Sequence, residues 1–424
     1  VRADENLKPE VEVSDNSLDI SLNKVGDNIK ILKNEKLIKE TKPDKTILNN
    51  NKEKIVLNSL DSDTPHRYKV KAYEEGKLID EAIIETTTKR SDKDKKEIKN
   101  NPLKDSNLIT IIKKNEVTLQ WSGIPDTDNT FEIYRGGKLI ETVKGETYVD
   151  SKIKPNQKYQ YEIVGKTKIS DEEIKAKKEK LKEYKIPLNK KEEENLIYIT
   201  NKVIKNVNTF NNKTTPSKSS ISTNSLLSPN GRGFVLRYQT FIPDPKVWNP
   251  SASSRKWPKF KGDNRSKYDW FSNAYRTRTD VYCLFNYTTP KAIFQKKVNV
   301  TVGFDWSGKP AKKKFADLSK VKLDFQTTGN DSGGKYLKFQ VSHAAADPLV
   351  EPISLAPNID YTYNAKVYEN GSISALGSHD KAPSHELWII NYPGDFAGPL
   401  HTSWNKGFKY LIPIYSQENW SYVQ

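Results

Sequence analysis

The sequence predicts a mainly β protein: two related β-sandwich modules, a charged helical connector, and a C-terminal antiparallel β-sandwich or barrel. Three observations predict it. Short segments alternate apolar and polar residues with period two along most of the chain. A hairpin pattern recurs at an offset of roughly 100 residues, one sandwich domain long. Charge and aromatic residues divide unevenly between the two halves. The chain has 424 residues, which at roughly 100–200 residues per domain predicts two to four domains.

Only 35% of residues are hydrophobic and 29% are charged, with a net charge of +16. That apolar share is below the usual ~45–50%, so the apolar residues must be concentrated. No run approaches the ~18–20 apolar residues of a membrane span. The single Cys283 excludes an intrachain disulfide and a Cys-based zinc site. The sequence contains no Met and opens Val1-Arg2-Ala3-Asp4. This is expected of a processed, secreted protein, and the Lys, Asn and Ile bias suits an AT-rich Gram-positive source.

The first module is expected over 1–92 and the second over 104–169. Ile29 to Ile38 matches Phe131 to Ile140 as strand, two-residue turn and strand. Gly136-Gly137 supplies the positive φ of a tight hairpin; Asn34 tolerates it and Glu35 fits it less well. In the second copy Val117, Leu119 and Trp121 share one strand face, and Lys158-Tyr159-Gln160-Tyr161 begins another strand. A strand ending in Trp, a Tyr-Arg-x-Gly-Lys hairpin and a Pro-x-x-x-Tyr-x-Tyr corner resemble fibronectin type III modules. The first copy keeps the hairpin and a corner with Tyr68 but lacks the Trp. The resemblance implies spacers. His66 stands alone before a strand and reads as a surface residue.

The connector is expected over 170–228. Ser170 with Glu173 fits a capping box, and Ile174, Leu181 and Tyr184 recur at helical spacing. Pro187 should stop that helix. A second helix is expected from Asn189 to about Val207, followed by a polar linker.

The C-terminal β domain is expected over 229–424. From Leu226 onward there are 26 Lys plus Arg and 16 Asp plus Glu, a net of +10. Seven of the eight Trp lie there as well. Val298 to Trp306, Val321 to Phe325, Leu337 to Val341 and Tyr361 to Val367 alternate strictly, and Asn370-Gly371 marks a hairpin. Cys283 shares a face with Val281 and Phe285 and reads as a buried thiol.

Four polar clusters stand out there. They are Phe260 to Arg265 followed by Tyr275-Arg276-Thr277; Thr240 to Pro243; Asp347 to Val350 with Ala356 to Tyr361; and Gly377 to Leu387. They resemble an uncharacterised domain family of secreted Bacillus and actinomycete proteins. Its pattern reads T-F-I-P, F-x-G-D-N-R-x-F, Y-R-T, N-P-L-V…A-P-x-I-D-Y and G-x-H-D-x-F-P-x-Y-E. The match covers Gly233 to Tyr415. The sequence departs at Lys267 or Tyr268, Asp347, Ala382 and His385. The resemblance implies location and fold class and carries no chemistry.

Asp263, Arg265 and Arg276 can latch a turn or bind an anionic ligand, since a guanidinium fork bridges two oxygens. Asp380 and Glu386 are the candidate catalytic carboxylates. His379, Asp380 and Glu386 are candidate ligands for Ca²⁺ or Zn²⁺, although nothing in the sequence requires a metal. Trp257, Trp270 and Trp404 sit among polar residues and suit stacking on a sugar or headgroup.

The expected function is that of a secreted, modular binding protein, its basic end meeting an anionic wall polymer, host glycan or membrane surface. A secreted polysaccharide hydrolase and a membrane-active toxin are the alternatives. Specific nucleic-acid binding is not expected, because Lys is spread out and no recognised motif occurs.

Overall fold

The computed structural model describes residues 6–44, 46, 52–98, 100–183, 190, 197–210, 232–243, 274–285, 290–292, 297–302, 321–346, 358–392 and 405–423. At 180, 181, 183, 232–323, 343–361 and 379–417 it describes backbone at most. The protein is mainly β.

The first module contributes β1 (Glu10–Val13), β2 (Leu18–Asn23), β3 (Asn28–Lys33), β4 (Lys36–Thr41), β5 (Lys52–Leu57), β6 (Pro65–Glu74) and β7 (Lys77–Thr87). They form a three-stranded sheet β1-β2-β5 facing the strands β4-β3-β6-β7. Alternation sets the layers: in β2, Leu18, Ile20 and Leu22 are buried and the residues between them only partly so. A short helix α1 (Asp92–Glu97) follows, with a capping box made by Ser91 and Asp94. The second module repeats the design with β8 (Asn107–Ile112), β9 (Val117–Ser122), β10 (Thr130–Arg135), β11 (Lys138–Lys144), β12 (Thr147–Asp150) and β13 (Lys158–Lys168). Its two layers are β12-β9-β8 and β11-β10-β13.

The two hairpins match in detail. Asn34 and Glu35 (φ 50 and 62) and Gly136 and Gly137 (φ 58 and 78) all have positive φ. Glu35 therefore takes the conformation its side chain suits least, and it pairs with Lys69 across the strands. Both hairpins shift register at the same place, Ile31/Leu32 and Ile133/Tyr134.

Helix α2 (Asp171–Glu183) starts where expected, with Ser170 Oγ accepting from the Glu173 amide at 3.2 Å. The next element corrects the sequence reading. Lys190 and Ile197 are helical as expected, but Tyr198–Asn208, expected to continue that helix to about Val207, is a strand, β14, paired with β13 over eleven residues. It is the fourth strand of the second module's larger layer. The charged connector is therefore, at least through α2, an insertion between two neighbouring strands.

The C-terminal strands are β15 (Arg232–Pro243), β16 (Ala274–Phe285), β17 (Pro290–Ala292), β18 (Lys297–Val302), β19 (Val321–Asp331), β20 (Gly334–Ala346), β21 (Asn358–Tyr368), β22 (Ile373–Tyr392) and β23 (Asn405–Val423). Among themselves they pair antiparallel. Asn370-Gly371 turns β21 into β22 as expected. Trp420 is fully buried in β23, and its ring lies over Gly377, where a Cβ would come within 1.9 Å of it.

Two ladders tie the parts together. β7 pairs antiparallel with β8, so one seven-stranded sheet, β12-β9-β8-β7-β6-β3-β4, runs through both modules. β14 pairs in parallel with β23, carrying the second module's other layer into the C-terminal strands. In the first ladder, Ile84 faces Ile111 and both enter the first core; Ile83 faces Ile112 and both enter the second. The same two strands wall both sandwiches, one on each face.

Shared walls predict shared unfolding. Ile83→Ala and Ile84→Ala should each cost about 2–4 kcal/mol, the range for emptying a buried Ile site. Each should lower the urea midpoint of both modules together, followed by Trp121 fluorescence and far-UV circular dichroism. Two resolved transitions, one per module, would contradict the shared-wall arrangement.

Candidate functional site

The two copies differ most at the corner where the sixth strand of each begins. In the second module Tyr161 donates to Asp150 Oδ2 at 2.6 Å, and Arg135 pairs with the same oxygen at 2.7 Å. The Lys152 amide donates to Asp150 Oδ1 at 3.0 Å. Burial opposes the ionised Asp150, but these three donors outweigh it and hold its carboxyl below the usual range. The corner is a satisfied structural network.

The first module places other residues at those positions. By strand register Tyr68 corresponds to Tyr161, His66 to Tyr159 and Lys33 to Arg135. His66 is 4% exposed, correcting the reading of it as a surface residue. It lies inside β6, stacked on Tyr68 with ring centroids 5.9 Å apart, its Nδ1 3.4 Å from the Tyr68 hydroxyl. Its Nε2 is buried without a hydrogen-bond partner. Burial, with Lys33 adding, pushes the imidazole down to about 4, so it is neutral at pH 7.

These residues line a cleft of about 460 Å³ where the two modules meet the C-terminal strands. One side is β6 and β7, with Arg67 and Glu85; another is β14, with Lys205 and Asn208. The third is the turn from β19 to β20, Asp331 to Gly334. Burial opposes the charge on Glu85, but Lys205 at 2.5 Å and Arg67 at 3.2 Å hold its carboxyl low. The turn is fastened to the first module: the Ser332 amide donates to Asp61 Oδ2 at 2.7 Å, and Lys33 donates to the Ser332 carbonyl at 2.7 Å. Asp331 is held by Lys366 at 2.7 Å and by the Tyr368 hydroxyl at 2.9 Å.

A second buried junction lies beside the cleft. Arg90 pairs with Asp63 at 3.4 Å and reaches Ser374, which donates to Asp63 Oδ1 at 2.8 Å. Lys338 bridges to Asp94 and Glu97 of α1. Asn101 donates to the Gly377 carbonyl at 3.0 Å.

Of the residues singled out from sequence, Asp263, Arg265, Trp257, Trp270 and Trp404 lie outside the described residues. The others are placed by backbone alone. His379 lies within β22, which runs through the whole Gly377 to Leu387 cluster and shifts register around Ala382. The sheet sets three of the polar clusters side by side: Thr240 is the partner of both His385 and Thr277, and Arg276 is the partner of Phe241. Asp380 is opposite Asp360. Asp380 and Glu386 are six residues apart on one strand, roughly 20 Å at the rise of extended chain. Glycosidase carboxylate pairs stand roughly 5–10 Å apart. Among the described residues no group of three or more His, Cys, Asp and Glu could hold a metal. No helix among them is long and apolar enough to cross a membrane.

Lys33, His66 and Lys205 escaped the sequence reading. The signal available was the repeat itself, because Lys33 and His66 are departures from the second copy at aligned positions. Comparison with protein-family models and with curated proteins finds no match.

His66 gives the cleft a pH signature. Its folded-state value of about 4 lies below the ordinary 6.5, so the unfolded chain binds the extra proton first. Its contribution, about 3 kcal/mol, is complete above pH ~6.5 and is lost as pH falls towards 4. Thermal melts from pH 7.5 to 4.5 should show a steeper stability loss in the native protein than in His66→Phe. Parallel curves would contradict this placement of His66.

Proposed function

We propose that the protein is a secreted binding protein in which two fibronectin-like modules form a rigid mount for a basic C-terminal β domain. That domain takes an anionic surface polymer. The observation carrying the reading is the pair of inter-module ladders, β7 with β8 and β14 with β23. A flexible string of spacers needs no such ladders, whereas a mount that fixes the direction of its last domain does. Charge supports the sign of the target. The C-terminal domain holds +10 of the net +16 in less than half the chain. In the front modules many cations are already matched, as in Lys113 with Asp80, Arg135 with Asp150 and Lys166 with Glu132. The expected location is outside the cell, on or near a Gram-positive wall.

Binding of this kind is electrostatic and weakens as salt shortens the screening length, from ~10 Å at 0.1 M to ~3 Å at 1 M. The intact protein should be retained on purified wall polymer carrying anionic phosphate at low salt and released by 1 M NaCl. Wall stripped of that polymer should retain far less. No retention on wall, acidic glycan or anionic vesicles at low salt would remove the reading.

A further inference from the structure

We propose that the cleft between the two front modules and the β19–β20 turn is a binding site for an acidic sugar, a small saccharide unit carrying a carboxylate or a phosphate. C-terminal strands supply one wall of the site, but His66, Lys33 and Arg67 come from the first module, and the inference does not rest on the reading above.

Size is the first argument. A volume of about 460 Å³ falls within the ~300–1,000 Å³ of small-molecule sites. The other clefts described, at about 20 and 10 Å³, have room for a water molecule at most.

The second argument is the unpartnered imidazole. His66 is 4% exposed and lines the cleft, and its Nε2 meets no partner in the protein. A buried polar atom left unpaired destabilises the fold, so it is retained where something else pairs with it. The Tyr68 hydroxyl faces Nδ1 at 3.4 Å and has a proton to give it. That arrangement leaves the imidazole proton on Nε2, a donor for a ligand oxygen. Thr87 adds a second buried hydroxyl without a partner on the same wall.

Charge sets the class of ligand. The lining cations are Lys33, Arg67 and Lys205, against the carboxylates of Glu85 and Asp331. Asp331 is also held by Lys366 from behind the turn. Lys33 donates to a backbone carbonyl, and burial makes its charged form less favourable even though the Asp331 carboxylate nearby opposes this. An anionic group beside it would restore that balance. Beside the apolar Pro65, Leu108 and Val423, the lining offers amides and hydroxyls, among them Asn34, Asn208, Asn370 and Ser372, suited to sugar hydroxyls.

The repeat supplies the third argument. At the equivalent corner of the second module Asp150 satisfies both Arg135 and Tyr161. The first module lacks that carboxylate, and Lys33 and His66 border open space instead. A carboxylate or phosphate entering the cleft gives Lys33 an acidic partner of the kind that Arg135 has in Asp150.

The test is calorimetric titration of the full chain with glucuronate, glucose 1-phosphate and glucose. At least one acidic sugar should bind about tenfold more tightly than glucose, the equivalent of one charge-assisted hydrogen bond. Which acid binds identifies the anionic group. His66→Phe should weaken that binding about tenfold or more while leaving the salt-dependent retention on wall polymer unchanged. Asn34→Gly, which suits the positive φ of its turn, should weaken it without loss of fold. If neither acid binds, or if both variants bind as the native protein does, the proposal is overturned.

Discussion

The structure depends on one ladder. β7 and β8 pair so that Ile84 and Ile111 feed one core while Ile83 and Ile112 feed the other. Side chains on a strand alternate between faces, so a slip of one residue would exchange the two sets and empty both cores. Module orientation is thus fixed by register, a far stiffer constraint than a loop between domains. The consequences spread outward. With the modules fixed, Glu85 on β7 meets Lys205 on β14, and Thr64 and Asp61 meet the incoming turn at Asp331 and Ser332.

Polar chemistry completes what the ladders begin. Two largely buried cations stand at the junction: Lys338 of the C-terminal strands pairs with Asp94 and Glu97 of α1, and Arg90, paired with Asp63 in the first module, reaches across to Ser374. Such pairs contribute little net stability once desolvation is counted, but leaving one partner alone is costly. Lys338 acts as a register mark: docking of the C-terminal strands elsewhere would leave its buried charge without Asp94 and Glu97. The cleft lies among these pairs, which keep its three walls at fixed separation. The Nε2 of His66 stays unpaired inside that rim.

Much of this was legible in the sequence where one strand face is dry and the other wet. Val117, Leu119 and Trp121, the Asn370-Gly371 turn and the matched hairpins are local signals, and local physics decides them. β14 was not legible. Ile199, Val203, Ile204 and Val207 recur at helical spacing because the strand's buried face also carries the polar Asn201 and Lys205, which erases the alternation. Its interior Lys205 reads as a solvent-facing residue until Glu85, more than a hundred positions earlier, is brought beside it. His66 hides for the same reason: the cleft it lines is completed by Asp331 to Gly334, far along the chain. The polar clusters of the C-terminal domain were found as clusters. Their alignment across β22, β15 and β16 is a property of pairing between segments that share no local pattern.

The late partner of β14 has a consequence for how the protein is made. Synthesis proceeds from the N-terminus, so β14 emerges, with β13 on one flank, long before its other neighbour β23 exists. Through that interval the open side of β14 is a row of unsatisfied amides and carbonyls able to recruit any extended chain. A cell producing the protein must shield that flank or finish quickly. A message cut short before β23 would yield a polypeptide with two folded-looking modules and a permanently adhesive border. Pairing with β23 therefore serves as the seal that closes this border.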